Sequence, residues 1–284
     1  MITFFRLGLF AVVTFAVSGC ISNQASSLSS MSMEEASIPV NPALSLPEGG
    51  MHPYVAAGIS SKHGYQTSND SIEEATVVTL STGCNWHESI EETRLALPFF
   101  GASVGGRVIS YNPQFSNEER SSIKDEGIDI KKDLIDYSAE LGVKGGVLLR
   151  SGWFMTLLYL QGVVKYEDGS YASLRQDVDG IRPMYNLVNS PWTYGYSYGF
   201  DIQGGSTGKW DIGFITSVNT VFNETQSVSW DYIEENVESP FSHGHDRYES
   251  TVILFGPYFD YRNFRLSAVI IDFSSMSAQI SWRF

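Results

Sequence analysis

The sequence contains few cysteines, which form the disulfides of small exported domains, and few of the basic residues that bind nucleic acid. Its 284 residues include 2 cysteines, and 18 Lys and Arg stand against 32 Asp and Glu, which gives a formal net charge of −14. This acidity argues against a nucleic-acid partner and against a basic patch that grips anionic lipid head groups. With so few cysteines, stability has to come from something other than a disulfide framework.

The amino-terminal apolar stretch is short as well. Leu7–Val17 is too short to cross a bilayer as a helix, and Arg6 is the only charge nearby, so residues 1–19 are predicted to be an export signal. Ser18-Gly19-Cys20 resembles a bacterial lipobox, which predicts lipid modification of Cys20; an ordinary signal peptide is the alternative. Ile21 follows where an Asp would indicate retention at the inner membrane, so an outer-membrane address is expected.

The rest of the chain divides into a tether and one folded domain. Residues 21–50 are rich in Ser, Ala and Pro and lack a sustained period, so with the lipidated Cys20 they are predicted to form a flexible tether over 20–50. The folded domain is expected over 51–284, where no repeat of fixed length is visible. If Cys20 is acylated, Cys84 has no disulfide partner.

The last strand carries the clearest pattern. Its apolar positions are Met276, Ala278, Ile280, Trp282 and Phe284, and they alternate with Ser277, Gln279, Ser281 and Arg283. A period of two places the first set on a lipid face and the second toward a polar interior. Outer-membrane β-barrels end in such a strand, so Ile280, Trp282 and Phe284 are predicted to be the barrel-closing signature that the insertion machinery reads.

The same alternation recurs along the chain and predicts an all-β, antiparallel transmembrane barrel of about ten strands, with eight to twelve open. The candidate strands are about 74–82, 92–99, 102–111, 138–150, 153–166, 193–203, 209–222, 249–261, 264–272 and 276–284. Residues 53–61 could add a strand and Asp168-Gly169 a hairpin, whereas 264–284 could be a single strand. A soluble β-sandwich would also alternate, but long strands and aromatic strand ends favour the barrel.

The lengths of the connections predict the orientation of the barrel. Connections near 100–101, 151–152, 204–208 and 262–263 are short, which is typical of periplasmic turns. Those at 112–137, 167–192 and 223–248 are long, as extracellular loops are. The chain is therefore expected to place both termini in the periplasm and its long loops outside the cell.

The inward-facing positions carry charges of both signs. They are Glu92, Arg94, Arg107, Glu140, Lys144, Arg150, Lys165, Asp201, Asp211, Asp260, Arg265 and Arg283. In a barrel this narrow, side chains largely fill the lumen, and buried charges have to pair because an unpaired one is costly. The pattern favours an ion-paired plug over a conducting pore.

The connection 223–248 is the most unusual candidate for chemistry. It is acidic and includes His243, His245 and Asp246, residue types that bind zinc, copper or nickel. Two histidines on one loop are weak evidence for a site, so a solvated acidic loop is the preferred interpretation, with no metal, no cofactor and no catalytic residue expected. Omptins, ten-stranded outer-membrane proteases, share the strand count and a terminal Arg-Phe, but their Asp-x-His and paired acids are not evident.

Two short motifs resemble ligand-binding loops but are not predicted to bind a ligand. Residues Gly204–Lys209 (GGSTGK) are similar to a phosphate loop, but the spacing is one residue short and no Ser or Thr follows the Lys, so a hairpin turn is predicted. Residues Asp177–Gly180 (DVDG) are similar to the start of a calcium loop but lack the later ligands, so a polar loop is predicted. The charged stretch 117–137 could form a short amphipathic helix or extend the next strand.

As a whole, the chain resembles the broad class of small bacterial outer-membrane β-barrels, with a lipoprotein-type signal added. The resemblance covers residues 1–20 by signal and roughly 75–284 by pattern. It implies a monomeric, non-enzymatic barrel in contact with outer-membrane lipids, which displays acidic loops for adhesion, envelope integrity or partner binding. The alternatives are a narrow channel for small solutes and a membrane-embedded hydrolase with a Ser–His arrangement.

Overall fold

The computed structural model describes residues 49–63, 72–89, 96–114, 121, 124–131, 133–151, 154–181, 188–206, 210–225, 247–271 and 275–284. The elements with both ends inside these ranges are ten β-strands and one α-helix, α1, and Ser121, Lys124 and Asp125 are also helical. Their bounds are β1 Gly50–His63, β2 Ile72–His87, β3 Ala96–Gln114, β4 Leu134–Ser151, β5 Phe154–Gly169, α1 Ser170–Ile181, β6 Val188–Ser206, β7 Trp210–Thr225, β8 Arg247–Tyr261, β9 Phe264–Ile271 and β10 Ser275–Arg283. No helix in this described part of the chain is both long and apolar enough to cross a membrane.

The ten strands form a closed barrel. Each strand pairs antiparallel with its neighbours in sequence, and β1 pairs with β10, with Tyr54 opposite Arg283 and Lys62 opposite Ser275. Beyond the last strand residue, the Phe284 amide donates to the carbonyl oxygen of Pro53 at 3.1 Å. Closure joins the first and last strands of the sheet, which is the condition for a β-structure to span a bilayer. The predicted all-β, ten-stranded antiparallel barrel is confirmed.

The two ends of the barrel differ. The end called here the turn end carries the start of β1, the end of β10 and the close connections between β4 and β5, β6 and β7, and β8 and β9. The opposite end, called the loop end, carries the connections that follow β1, β3, β5, β7 and β9. The predicted turn near 204–208 lies within the β6–β7 hairpin, where Ser206 faces Trp210.

The outward face is apolar between two aromatic belts. Tyr137, Tyr166 and Trp192 lie toward the loop end, and Tyr166 and Trp192 make an edge contact at 5.0 Å between ring centroids. At the turn end the exposed aromatics are Trp210, Tyr261, Phe264, Trp282 and Phe284. Exposed aliphatic side chains such as Leu160, at 67% exposure, fill the band between them. This surface is that of a transmembrane β-barrel, the class that the alternation predicts.

The predicted hairpin 92–99 and 102–111, with a turn at 100–101, is wrong. The described part of the first segment, 96–99, and all of 102–111 belong to the single strand β3, which runs through Gly101 without a turn. The reason is an apolar patch inside the barrel: Leu97 and Phe99 point inward at 2% and 1% exposure, whereas Phe100 and Val104 point outward. If every apolar side chain is assumed to face outward, Leu97 and Phe99 are assigned to the lipid face. A turn is then needed before Val104, because Val104 would otherwise face inward.

The strand count is nevertheless ten because a second difference compensates. The segment 53–61, an optional strand in the sequence, lies within β1 and pairs with both β2 and β10. At the carboxyl end, β9 and β10 are separate strands, with Ile271 opposite Ser275. The structure places Ile280, Trp282 and Phe284 on the outward face of β10. Their role as an insertion signal stays a prediction.

The predicted long loop 167–192 is largely ordered structure. Strand β5 continues to Gly169, α1 follows at once, and β6 begins at Val188. Asp177–Gly180 therefore lies in α1, and the prediction of a polar loop there is wrong. In the stretch 117–137, Ser121, Lys124 and Asp125 are helical and Leu134 begins β4, so both alternatives are met in part.

Candidate functional site

A buried ion cluster fills the part of the lumen nearer the turn end. It consists of Asp201 on β6, Tyr258 and Asp260 on β8 and Arg265 on β9, each at most 4% exposed. The Arg265 guanidinium donates from Nε and Nη2 to the two carboxylate oxygens of Asp260, at 2.7 and 2.8 Å. Its third nitrogen, Nη1, donates to Asp201 Oδ2 at 3.2 Å. One arginine thus joins β6, β8 and β9 across the lumen.

Tyr258 completes the cluster from below the guanidinium. Its hydroxyl donates to Asp201, and the Arg265 guanidinium carbon lies 3.6 Å from the centroid of its ring, a cation–π contact. The ring occupies space that Gly213 on β7 leaves open, since a Cβ there would overlap Tyr258. The fork of Arg265 on Asp260 is the strong bidentate geometry, so the cluster offsets much of the cost of burying its charges.

Two further ion pairs lie in the lumen. Arg107 Nη2 on β3 is 2.5 Å from Glu140 Oε2 on β4, and Lys165 Nζ is 2.6 Å from Glu167 Oε2 two residues along β5. The side chains of Lys165 and Glu167 are 0% and 3% exposed. Lys144 lies over the rings of Phe99 and Tyr159, at 5.9 and 5.7 Å from their centroids. These five charges of the lumen are therefore held in pairs or over aromatic faces.

The predicted inward charges are largely confirmed. The structure buries Arg107, Lys144, Lys165, Asp201, Asp211, Asp260, Arg265 and Arg283 inside the barrel and leaves Glu140 and Arg150 half-buried. Glu92 and Arg94 lie outside the described residues. Sequence reasoning missed Asp136 and Glu167 because it ended the neighbouring strands too early. The alternation itself could have found Asp136, because it lies two residues before Ser138 and four before Glu140 and therefore faces the same side of the strand.

Helix α1 covers the mouth of the lumen at the loop end. Asp136 on β4 accepts hydrogen bonds from the backbone amides of Tyr171 and Ala172, at 2.7 and 3.0 Å. These are first-turn amides that have no partner within a helix, so the Asp136 side chain caps α1 from a neighbouring strand. Ser170 adds a reciprocal pair with the backbone of Ile135, at 2.7 and 3.1 Å.

Apolar packing holds the same helix down. Tyr171 is fully buried, and its ring centroid lies 4.0 Å from that of Tyr111 on β3. Together with Leu174 it closes a cluster, called here the cap cluster, with the inward side chains of β2, β3 and β4. Its buried members are Ala75, Val77, Ile109, Tyr111, Leu134, Tyr171 and Leu174. The cluster packs α1 against the inward side chains at the mouth, and α1 is called the lid below.

A groove lies on the outer side of this lid. It has a volume of about 720 Å³ and runs between α1 and residues 127–131. Ile128, Leu134 and Leu174 contribute its apolar part, and Asp129 and Asp177 lie among its polar residues. The groove is open to solvent and is lined by both apolar and charged side chains.

The sequence-predicted site residues fall mostly outside this region. Cys20, the tether and the cluster His243, His245 and Asp246 lie outside the described residues. Within the described part of the chain, no three or more His, Cys, Asp or Glu side chains are grouped so as to hold a metal ion. The lid and its groove were not predicted as a site.

Comparison with known proteins finds barrels but no family. No family model matches the chain, and no curated protein matches it by sequence. An outer membrane channel from Pseudomonas putida F1 is 8% identical, with 87% of this chain and 100% of that chain covered, at a TM-score of 0.37. The β domain of the Bordetella autotransporter BrkA is 8% identical, with coverages of 83% and 99% and a TM-score of 0.42.

An enzyme structure is among the similar ones. LpxR from Salmonella typhimurium is 12% identical, with 83% of this chain and 100% of that chain covered, at a TM-score of 0.31. At such values the likenesses carry no argument about activity, solute or partner.

Proposed function

We propose that this protein is a non-enzymatic bacterial outer-membrane β-barrel with a filled lumen, which presents its loop end to the outside as a binding surface. The outward face supports the location, because an apolar band between two aromatic belts suits lipid and not water. The single observation that carries the proposed role is the occupation of the lumen. Buried side chains occupy the lumen at three places: the ion cluster, the cap cluster, and an apolar cluster at the turn end. The apolar cluster consists of Leu97, Phe99, Leu148, Leu157 and Tyr159.

The loop end is the natural surface for a partner in this proposal. The lid blocks entry to the lumen, so a partner meets the groove beside α1 and the acidic connection 223–248 first. Apolar Leu174 and Ile128 next to Asp129, Asp177 and Lys131 suit an occupant that has apolar groups and charges of both signs. Lipid attachment at Cys20 and extracellular placement of the long loops belong to the same proposal.

A narrow channel is the second candidate function. It is favoured by polar atoms that face the middle of the lumen without a hydrogen-bond partner among the described residues, including Nε and Nη1 of Arg107 and the Oγ atoms of Ser138 and Ser197. Such groups suit water. A channel would require α1 to leave the mouth and the ion cluster to open.

Site-specific labelling tests the orientation on which the proposal depends. In a Cys84→Ser background, Asp177→Cys on exposed α1 should react with a membrane-impermeant maleimide on intact cells. Asn263→Cys, exposed in the β8–β9 turn, should react only after the outer membrane has been permeabilised. Both positions are exposed, so the pair is matched for reactivity. Labelling of Asn263→Cys alone on intact cells would reverse the orientation and refute display of the loop end.

A further inference from the structure

Two histidines are stacked inside the barrel at the turn end. His52 lies on β1 and His87 is the last residue of β2, and their ring centroids are 4.9 Å apart with 28° between the ring planes. Neither belongs to the ion cluster, the cap cluster or the groove. His87 is 2% exposed and His52 is half-buried, so solvent reaches one of the two rings.

The hydrogen bond of His87 determines what its second nitrogen can do. Nδ1 lies 2.7 Å from the backbone carbonyl oxygen of Glu88, which can only accept, so Nδ1 carries the proton. Nε2 then has a lone pair, and it is buried without a hydrogen-bond partner in the described structure. A histidine whose Nδ1–H donates to a backbone carbonyl while Nε2 presents its lone pair has the usual arrangement of a metal ligand.

We propose that His52 and His87 form a transition-metal site of two imidazole ligands at the turn end. Imidazole suits Zn²⁺, Ni²⁺ and Cu²⁺, and among the divalent ions Cu²⁺ binds nitrogen ligands most tightly. The two residues come from adjacent strands: His52 is directly opposite Asn85, and His87 follows Asn85 by two residues on the same face, so the sheet itself sets their separation. Water or a small anion completes the coordination, because no third His, Cys, Asp or Glu joins the group in the described residues.

Copper titration of the full-length, detergent-solubilised barrel tests the site. We expect one Cu²⁺ per chain, removable by a chelator, with an electron paramagnetic resonance spectrum that shows coupling to two imidazole nitrogens. His87→Ala and His52→Ala should each weaken binding by about tenfold or more. The matched control is the double variant His243→Ala with His245→Ala, which removes the two histidines of the acidic connection and should leave binding unchanged.

The control also keeps the test decisive if a barrel variant fails to fold. In sequence, His243 and His245 fall between β7 and β8, whereas His52 and His87 belong to β1 and β2. Retention of the two-nitrogen signal in the double variant therefore supports the site without altering the barrel. Loss of copper in the double variant, an unchanged affinity in folded His87→Ala, or no binding by the wild-type chain would each overturn the proposal.

Discussion

Replacement of Arg265 by alanine is expected to destabilise the barrel by about 3–5 kcal/mol, the cost of breaking a buried ion pair by removing one partner. The change leaves Asp260 and Asp201, at 1% and 0% exposure, without the guanidinium that accounts for three of their hydrogen bonds. It also removes the cation from the ring of Tyr258. Denaturant unfolding of the barrel in lipid vesicles, followed by tryptophan fluorescence, measures the loss.

Two further variants separate the ion cluster from a general effect of charge. Lys124→Ala also removes one positive charge, but from an exposed position near the loop end, and should change stability by less than about 0.5 kcal/mol. Combining Arg265→Met with Asp201→Asn and Asp260→Asn should recover most of the loss, since no carboxylate is then stranded. A loss in Arg265→Ala no larger than that of Lys124→Ala would contradict the role assigned to the cluster.

Replacement of Tyr171 by alanine should release the lid while the barrel remains folded. The side chain is fully buried against Tyr111, and truncating a buried aromatic costs about 3 kcal/mol or more. Because α1 is attached only at the mouth, we expect the cost to appear as local opening. Amide hydrogen exchange of residues 170–181 should accelerate roughly a hundredfold, with little change in the strands.

Asp136→Ala attacks the same lid through its amide bonds. It removes the acceptor of two first-turn amides, so exchange in α1 should accelerate by about tenfold, in keeping with the loss of a helix cap. Asp177→Ala, exposed on the same helix, is the matched control and should leave exchange unchanged. Equal exchange in Tyr171→Ala and Asp177→Ala would show that α1 is not held by the cap cluster.

The barrel could be predicted from sequence because the side chains of each strand alternate between two faces, and the face in contact with lipid has to be apolar. Where the interior is polar, as at Ser138 to Arg150, the predicted faces are correct. Where the interior is apolar, the two faces carry similar side chains and the pattern loses its phase. Leu97 and Phe99 are such positions, and there the prediction introduced a turn that β3 lacks.

The lid could not be predicted for a different physical reason. Its cap is the side chain of Asp136, which comes from β4, far along the sequence from Ser170. Helix α1 has no acidic residue in its first turn and no basic residue in its last, so local sequence gives little sign of a helix. Likewise, the charges of the ion cluster were predicted to face inward, but which of them pair depends on the register of β6, β8 and β9.

The most direct test of the filled lumen is single-channel recording of the wild-type barrel in planar lipid bilayers. Insertion should be verified by the folded mobility of the recovered protein. No conductance steps are expected, and none in Tyr171→Ala either, because the ion cluster still blocks the lumen after the lid has been released. Reproducible steps of one amplitude from the wild-type chain would contradict the filled lumen and favour the channel.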